Sequence, residues 1–198
     1  MKKEMSDSQF GQDAWVLEQL DYKRNGYFVD VGAGTPIELS NTYILETQYG
    51  WSGILIEPYK PFFDQLVEVR SAICDNSCVY SDVQSINYIH TTGGYGNTLE
   101  PFRYKISANV QHSEQITTVT LTSLLQKYSA PTIIDYLDID VEGAELDVLK
   151  SIDFTTYSFR TITVEDNRQK DQIMKLLHPH GYRLNKWVHE NSYITKEI

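Results

Sequence analysis

The sequence predicts an α/β protein with a mostly parallel sheet, and three observations carry that expectation. Short runs such as "YFVDV" at 27–31, "GILIE" at 53–57, "TIIDYLDID" at 132–140 and "RTITVE" at 160–165 are rich in β-branched and aromatic residues, as buried strands are. Stretches with helical apolar spacing separate them, so strand and helix alternate. The 198 residues, 41% hydrophobic and 22% charged, suffice for one packed domain over 1–198 but hardly for two.

Taken in order, "YFVDV" is the first strand, "LSNTYILETQYG" at 39–50 a helix with a glycine stop, and "GILIE" the second strand, together a βαβ unit. After Pro58, "FFDQLVEVR" at 62–70 reads as a helix and "SAIC" at 71–74 as the third strand. Between Cys74 and Thr117 the chain turns polar and aromatic around "GGYG", which predicts an antiparallel excursion, roughly 76–115, with a flexible loop, set above the sheet as a lid. The strands at 132–140 and 160–165 are each followed by a helical segment, "AELDVLKSI" at 144–152 and "QKDQIMKLLHP" at 169–179. "GYRLNKWVHENSYITKEI" suits a closing hairpin broken at "HEN".

Composition excludes several classes. A formal net charge of -10 with no lysine or arginine cluster repels a phosphate backbone, so nucleic acid is not an expected partner. No window has the unbroken apolar length of a membrane span, and "MKKEMSDSQFGQD" has no apolar core or cleavage site, so a cytoplasmic protein is expected. Cys74 and Cys78 lie near no second pair at zinc spacing and read as reduced thiols.

The turn after the first strand carries the binding chemistry. In an open parallel sheet, ligands bind beyond the carboxyl ends of the strands, and glycines there let the backbone approach a nucleotide. Gly32, Ala33 and Gly34 occupy that turn, behind Asp30. A dinucleotide fingerprint requires a further glycine at position 37, where Ile37 stands, so a pyrophosphate is disfavoured. Glu57 ends the second strand, where an acid accepts both hydroxyl hydrogens of a ribose. The pairing points to a nucleoside without a pyrophosphate.

"SQFGQD", "GYFVDVGAG", "LSNTYILE", "GWSGILIEP", "DYLDIDVEGAELDVLKSIDF" and "ITVEDN" occur in the order found in the FkbM family of methyltransferases, which the chain resembles over nearly its whole length apart from the stretch around 76–115. The resemblance implies a Rossmann-like class I methyltransferase sheet of seven strands with a reversed terminal hairpin. It implies S-adenosyl-L-methionine as cofactor, and as acceptor a hydroxyl of a sugar, glycan or secondary metabolite. Asp138 and Asp166 depart from residues common in the family, on the acceptor side. By the same resemblance, Gln9 and Asp13 fold over the cofactor.

On that reading Asp30 anchors the cofactor's ammonium, Glu57 takes the ribose and Pro58 offers an apolar face beside the adenosine. Ala72 and Ile73, at the end of the third strand, lie along the adenine. Ser40 and Asn41 either cap the first helix or reach the methionine carboxylate.

The chemistry is expected at "LDIDVEGAE", where alternation sends Asp138 and Asp140 to one face. Crowded acids raise one another's pKa, as a base near neutrality or a metal site requires. Asp140 is the first candidate for general base, and Glu165, Asp166 and Asn167, at the end of the next strand, orient a polyhydroxyl acceptor. A Mg²⁺ ion bridging Asp140 and Glu165 is the alternative use of these acids. Glu142 is read as a cap and Glu145 as solvent-facing. His90 and His112 are alternative bases near the lid, Tyr95 closes over the acceptor, and His178 and His180 are capping or surface residues. Two other classes fit the turn: an NAD-dependent oxidoreductase, and a noncatalytic nucleoside-binding or scaffolding module.

Overall fold

The structure is a computed structural model that describes residues 8–105 and 109–197. Helix α1 (Gln12–Gln19) precedes β1 (Tyr27–Val31), and α2 (Tyr43–Tyr49) and β2 (Ser52–Ile56) complete the expected βαβ unit. Next come α3 (Lys60–Val69) and β3 (Ile73–Asp75), then the excursion: β4 (Cys78–Val79), β5 (Ser85–Thr91), β6 (Thr98–Leu99), a 3₁₀ segment Glu100–Lys105 and β7 (Val110–Val119). The chain returns through α4 (Leu121–Lys127), β8 (Ile133–Ile139), α5 (Glu145–Lys150), β9 (Ser158–Glu165), α6 (Lys170–Leu177), β10 (Tyr182–Val188) and β11 (Asn191–Lys196). The spacing does not reveal α1 or α4. In α1, Trp15, Val16 and Leu17 are buried in succession, so no one-sided stripe marks it, and α4 is only seven residues long.

Seven strands form one sheet in the order β10-β11-β9-β8-β1-β2-β3. All run parallel except β11, which is antiparallel to both its neighbours. Alternate residues feed opposite layers, as period-two strands must. Val29, Val31, Ile54, Ile56, Leu137 and Ile139 pack with residues of α4, α5 and α6, whereas Phe28, Leu55 and Tyr136 pack with residues of α1, α2 and α3. Covering both faces is what makes these strands read as continuous apolar runs. Helix α2 ends at Gly50, whose φ of 71° gives the left-handed stop the sequence announces.

The excursion is a second sheet, ordered β4-β7-β5-β6. It is not wholly antiparallel as expected: β4 pairs parallel with the end of β7, and β7 runs to Val119, past the expected boundary at 115. This small sheet lies over the carboxyl end of the large one. Cys78, Tyr88 and Leu99 pack with Ala144, in the turn after β8. The Thr98 hydroxyl donates to the Glu142 carbonyl at 2.7 Å and Lys105 Nζ to the Gly143 carbonyl at 3.3 Å. Among the described residues, no helix is long and apolar enough to cross a membrane.

Candidate functional site

Between the two sheets lies a cavity of about 320 Å³, within the size range of small-molecule sites. Residues 30–35, Glu57 and Pro58 form one wall, Asp138, Asp140, Val141, Glu142 and Glu165 the other, and Tyr88 with residues 94–99 the roof. Gln9 and Leu39 also line it, Ser8 and Leu39 forming an isolated bridge that holds the N-terminal segment there. Asp13, beside it, accepts from the Ser8 hydroxyl and does not line the cavity.

The glycine turn is shaped by contact as well as by conformation. Gly32 has φ 88°, and a Cβ on it would lie 1.8 Å from the Asp140 carbonyl oxygen, so no side chain fits. Gly34, at φ 60°, has room for a Cβ, the nearest atom being the Gly32 carbonyl oxygen at 4.0 Å, and donates its N–H to Glu57 Oε2 at 2.8 Å. Tyr59 N–H donates to Glu57 Oε1 at 2.7 Å, so both carboxylate oxygens are held while lone pairs remain for a ligand. Burial nevertheless pushes Glu57 up to about 7, against the pull of these two bonds.

Behind the turn is a buried arginine that sequence reasoning missed. Arg70 Nε donates to Glu46 Oε2 at 2.7 Å, and its other nitrogens reach the Pro36 carbonyl, the Ser40 hydroxyl and Thr42 Oγ1. Thr42 Oγ1 donates in turn to Asp30 Oδ2 at 2.8 Å. Asp30 is pushed up to about 7, mainly by burial and then by Asp138, its partner on the adjacent strand. Arg70's partners lie 24 to 34 residues away in the chain, which no local pattern reveals.

Several expected residues are elsewhere. Ser40 is engaged by Arg70 and does not line the cavity. Asn41 does line it, its Nδ2 donating to Asp138 Oδ2 at 2.6 Å and its Oδ1 buried without a partner. Ala72 and Ile73 are also away from the cavity. Strand β3 begins at Ile73 and continues to Asp75, so Ser77 and Cys78 reach the wall instead.

On the opposite wall, Asp140, Glu142 and Glu165 each bring a carboxylate oxygen within 4.8 Å of the others. Burial, then Glu165, Glu142, Asp138 and Glu145, raises Asp140 well above the usual carboxylate range. Burial and Glu165 push Glu142 up to about 7. Glu142 has φ 56°, a strained conformation of the kind that clusters at active sites. Asp138 is consumed within the sheet, accepting from Asn41, Tyr136 and Thr163, and burial raises it too.

Of the three acids and amides after β9, only Glu165 faces the cavity. Asp166 turns to the terminal hairpin, accepting from Trp187 Nε1 at 2.8 Å and the Ser192 hydroxyl at 2.6 Å. Asn167 Nδ2 bridges Glu165 Oε2 and Glu145 Oε1, at 2.8 and 3.0 Å. Glu145 is fully buried rather than solvent-facing, its Oε1 accepting from Gly143 N–H at 2.6 Å. His90 belongs to the small sheet, stacked on His112 at 4.2 Å and bound to Glu114, and is not on the cavity wall. Tyr95 is, at the rim against Phe62. His178 and His180 form a 3₁₀ turn at the end of α6.

A seven-stranded sheet with one reversed strand, a glycine turn after β1 and an acid after β2 defines the class I methyltransferase fold. A crystal structure of precorrin-6y C5,15-methyltransferase from Geobacter metallireducens GS-15 has this fold too: it is similar with a TM-score of 0.51 at 11% identity, covering 98% of this chain and 89% of that one. No curated protein matches the sequence. The methyltransferase FkbM domain matches residues 30–184, and the chain belongs to that family.

Proposed function

We propose that the protein is an S-adenosylmethionine-dependent O-methyltransferase acting on a hydroxyl of a sugar, glycan or secondary metabolite. The observation that carries this reading is the pairing, across one cavity, of a nucleoside-type wall, Gly32 to Gly34 with Glu57, and an acid wall, Asp140 with Glu142 and Glu165.

The residues present fit the cofactor. Glu57 has lone pairs left for two ribose hydroxyls after accepting from Gly34 and Tyr59. Asn41 Oδ1 is a buried acceptor without a partner beside the carboxylates of Asp30 and Asp138, which suits an ammonium. When bound, the cofactor supplies an electrophilic methyl group on a sulfonium. Asp140 accepts the proton of the acceptor hydroxyl as general base, with the carboxylates of Glu142 and Glu165 beside it. A cationic ligand in the cavity favours the ionised forms of Asp140 and Glu142 and so offsets the burial that raises their pKa values. The same three carboxylates have the oxygen donors that Mg²⁺ prefers, which makes chelation a necessary arm of any assay.

Calorimetry with S-adenosylmethionine, S-adenosylhomocysteine and NAD tests the first half of the reading. Binding of the first two without NAD is expected, and binding of NAD alone sinks it. Transfer of labelled methyl from the cofactor to sugars or to a cell extract, with mass spectrometry of the product, tests the second half. Tight cofactor binding with no transfer to any acceptor favours a noncatalytic module.

A further inference from the structure

We propose that Asn97, in the roof, reads the purine base: its amide nitrogen donates a hydrogen bond to a ring nitrogen of the adenine. This rests on the nucleoside reading of Glu57 given above. Asn97 lines the cavity and is only 8% exposed. Its Oδ1 accepts from Thr91 N–H at 2.7 Å. A backbone N–H can only donate, so the amide has one orientation, with oxygen toward Thr91 and nitrogen away from it. That nitrogen is buried and has no hydrogen-bond partner.

The loop is built to hold this amide in place. Gly93, Gly94 and Gly96, at φ 85°, 85° and 75°, turn the chain so that the Tyr95 carbonyl also accepts from Thr91 Oγ1, at 2.6 Å. Thr91, itself 1% exposed, therefore pins both ends of the turn. A Cβ on Gly94 would meet the Tyr59 ring at 2.4 Å, which seats the loop against the residue that follows Glu57 and Pro58.

The neighbourhood selects the ligand's base. Burial pushes the Tyr88 phenol up, and the Asn97 amide beside it acts the other way. The Gly94 contact with Tyr59 places this loop beside the end of β2, on the Glu57 side of the cavity. Ribose hydroxyls are taken by the acceptor Glu57. The ring nitrogens of adenine are acceptors still lacking a donor, and an unused buried N–H is the chemical complement to one of them.

The test is calorimetry of S-adenosylhomocysteine and its 1-deaza, 3-deaza and 7-deaza analogues with the wild type and with Asn97→Asp. Aspartate keeps an acceptor for Thr91 and puts a carboxylate oxygen where the donor was. S-adenosylhomocysteine should bind the variant about tenfold or more weakly. One deaza analogue should lose a similar factor on the wild type and almost nothing further on the variant, which separates a lost hydrogen bond from a general effect of the added charge. Equal binding of S-adenosylhomocysteine to both proteins overturns the proposal and leaves the nucleoside reading standing. Absence of binding to the wild type overturns both. If Asn97→Asp does not fold by circular dichroism, the wild-type series decides: a loss confined to one analogue sustains the proposal, and equal affinity for all three refutes it.

Discussion

Gly32 and Asp140 meet backbone to backbone: the space where a Cβ would sit on the glycine lies 1.8 Å from the aspartate's carbonyl oxygen. The contact locks the nucleoside-type turn of β1 to the acid-bearing end of β8, which also donates Asp140 N–H to the Val31 carbonyl at 2.9 Å. Gly32→Ala should therefore disturb both walls at once, costing roughly 3 kcal/mol or more of stability, at the upper end of single substitutions. Gly34→Ala, with room for a Cβ and φ 60°, should cost about 1 kcal/mol. Chemical denaturation of the two variants checks the order; a more damaging Gly34→Ala would contradict it.

Asp140→Asn separates chemistry from binding. The amide retains the shape but cannot take a proton, so the single-turnover rate should fall by roughly 10² to 10⁴ while S-adenosylhomocysteine affinity changes little. Chelator should leave the wild type unaffected if Asp140 acts as a base, and should reproduce the loss, reversibly with Mg²⁺, if the acids hold a metal. A wild-type rate in the variant would remove Asp140 from both roles and leave Glu142 and Glu165 as the candidates.

Glu57→Gln should weaken S-adenosylhomocysteine binding by about 1 to 3 kcal/mol. Glu57 meets two backbone donors, from Gly34 and Tyr59, with one oxygen each, and glutamine has only one oxygen to offer. Its amide nitrogen would face one of those N–H groups. Unchanged calorimetric affinity would detach Glu57 from the ribose.

The ligand-free protein should lose stability as pH rises from about 5 to 8. Asp30, Glu57, Glu142 and Glu145 are each pushed up to about 7, chiefly by burial, from an ordinary carboxylate value near 4. Between about pH 4 and 7 the folded chain thus holds more protons at these sites than the unfolded chain, and unfolding becomes easier as pH climbs through that window. Glu142→Gln removes one contributor and should flatten the dependence. Thermal melts across the range check the sign: a melting temperature that climbs from pH 5 to 8 would contradict it.

What is legible in the sequence is what depends on near neighbours in the chain. Period-two alternation along "TIIDYLDID" suffices to send Asp138 and Asp140 to one face, and both line the cavity, since strand parity is local. The glycine turn and the acid after β2 are equally local. Asp166 is different, because its direction is set by Trp187 and Ser192, 21 and 26 residues further on. The true end of β3 depends on pairing with β2, where Ile73 lies opposite Ile54, and the apolar letters of "SAIC" do not encode that register. Asn97 reads as one polar residue in a polar loop until its amide is seen pinned by Thr91. Arg70 likewise reads as the end of a helix.

The roof is fastened to the turn after β8 through main-chain carbonyls, those of Glu142 and Gly143, which accept from Thr98 and Lys105. The side chain at position 142 therefore carries neither of those two hydrogen bonds, and its left-handed backbone limits what may replace it. Asparagine and aspartate tolerate such a backbone best. On the proposed reading, the position is a place where reactivity can be retuned while the architecture stays constant, a natural first target for diversifying the acceptor chemistry.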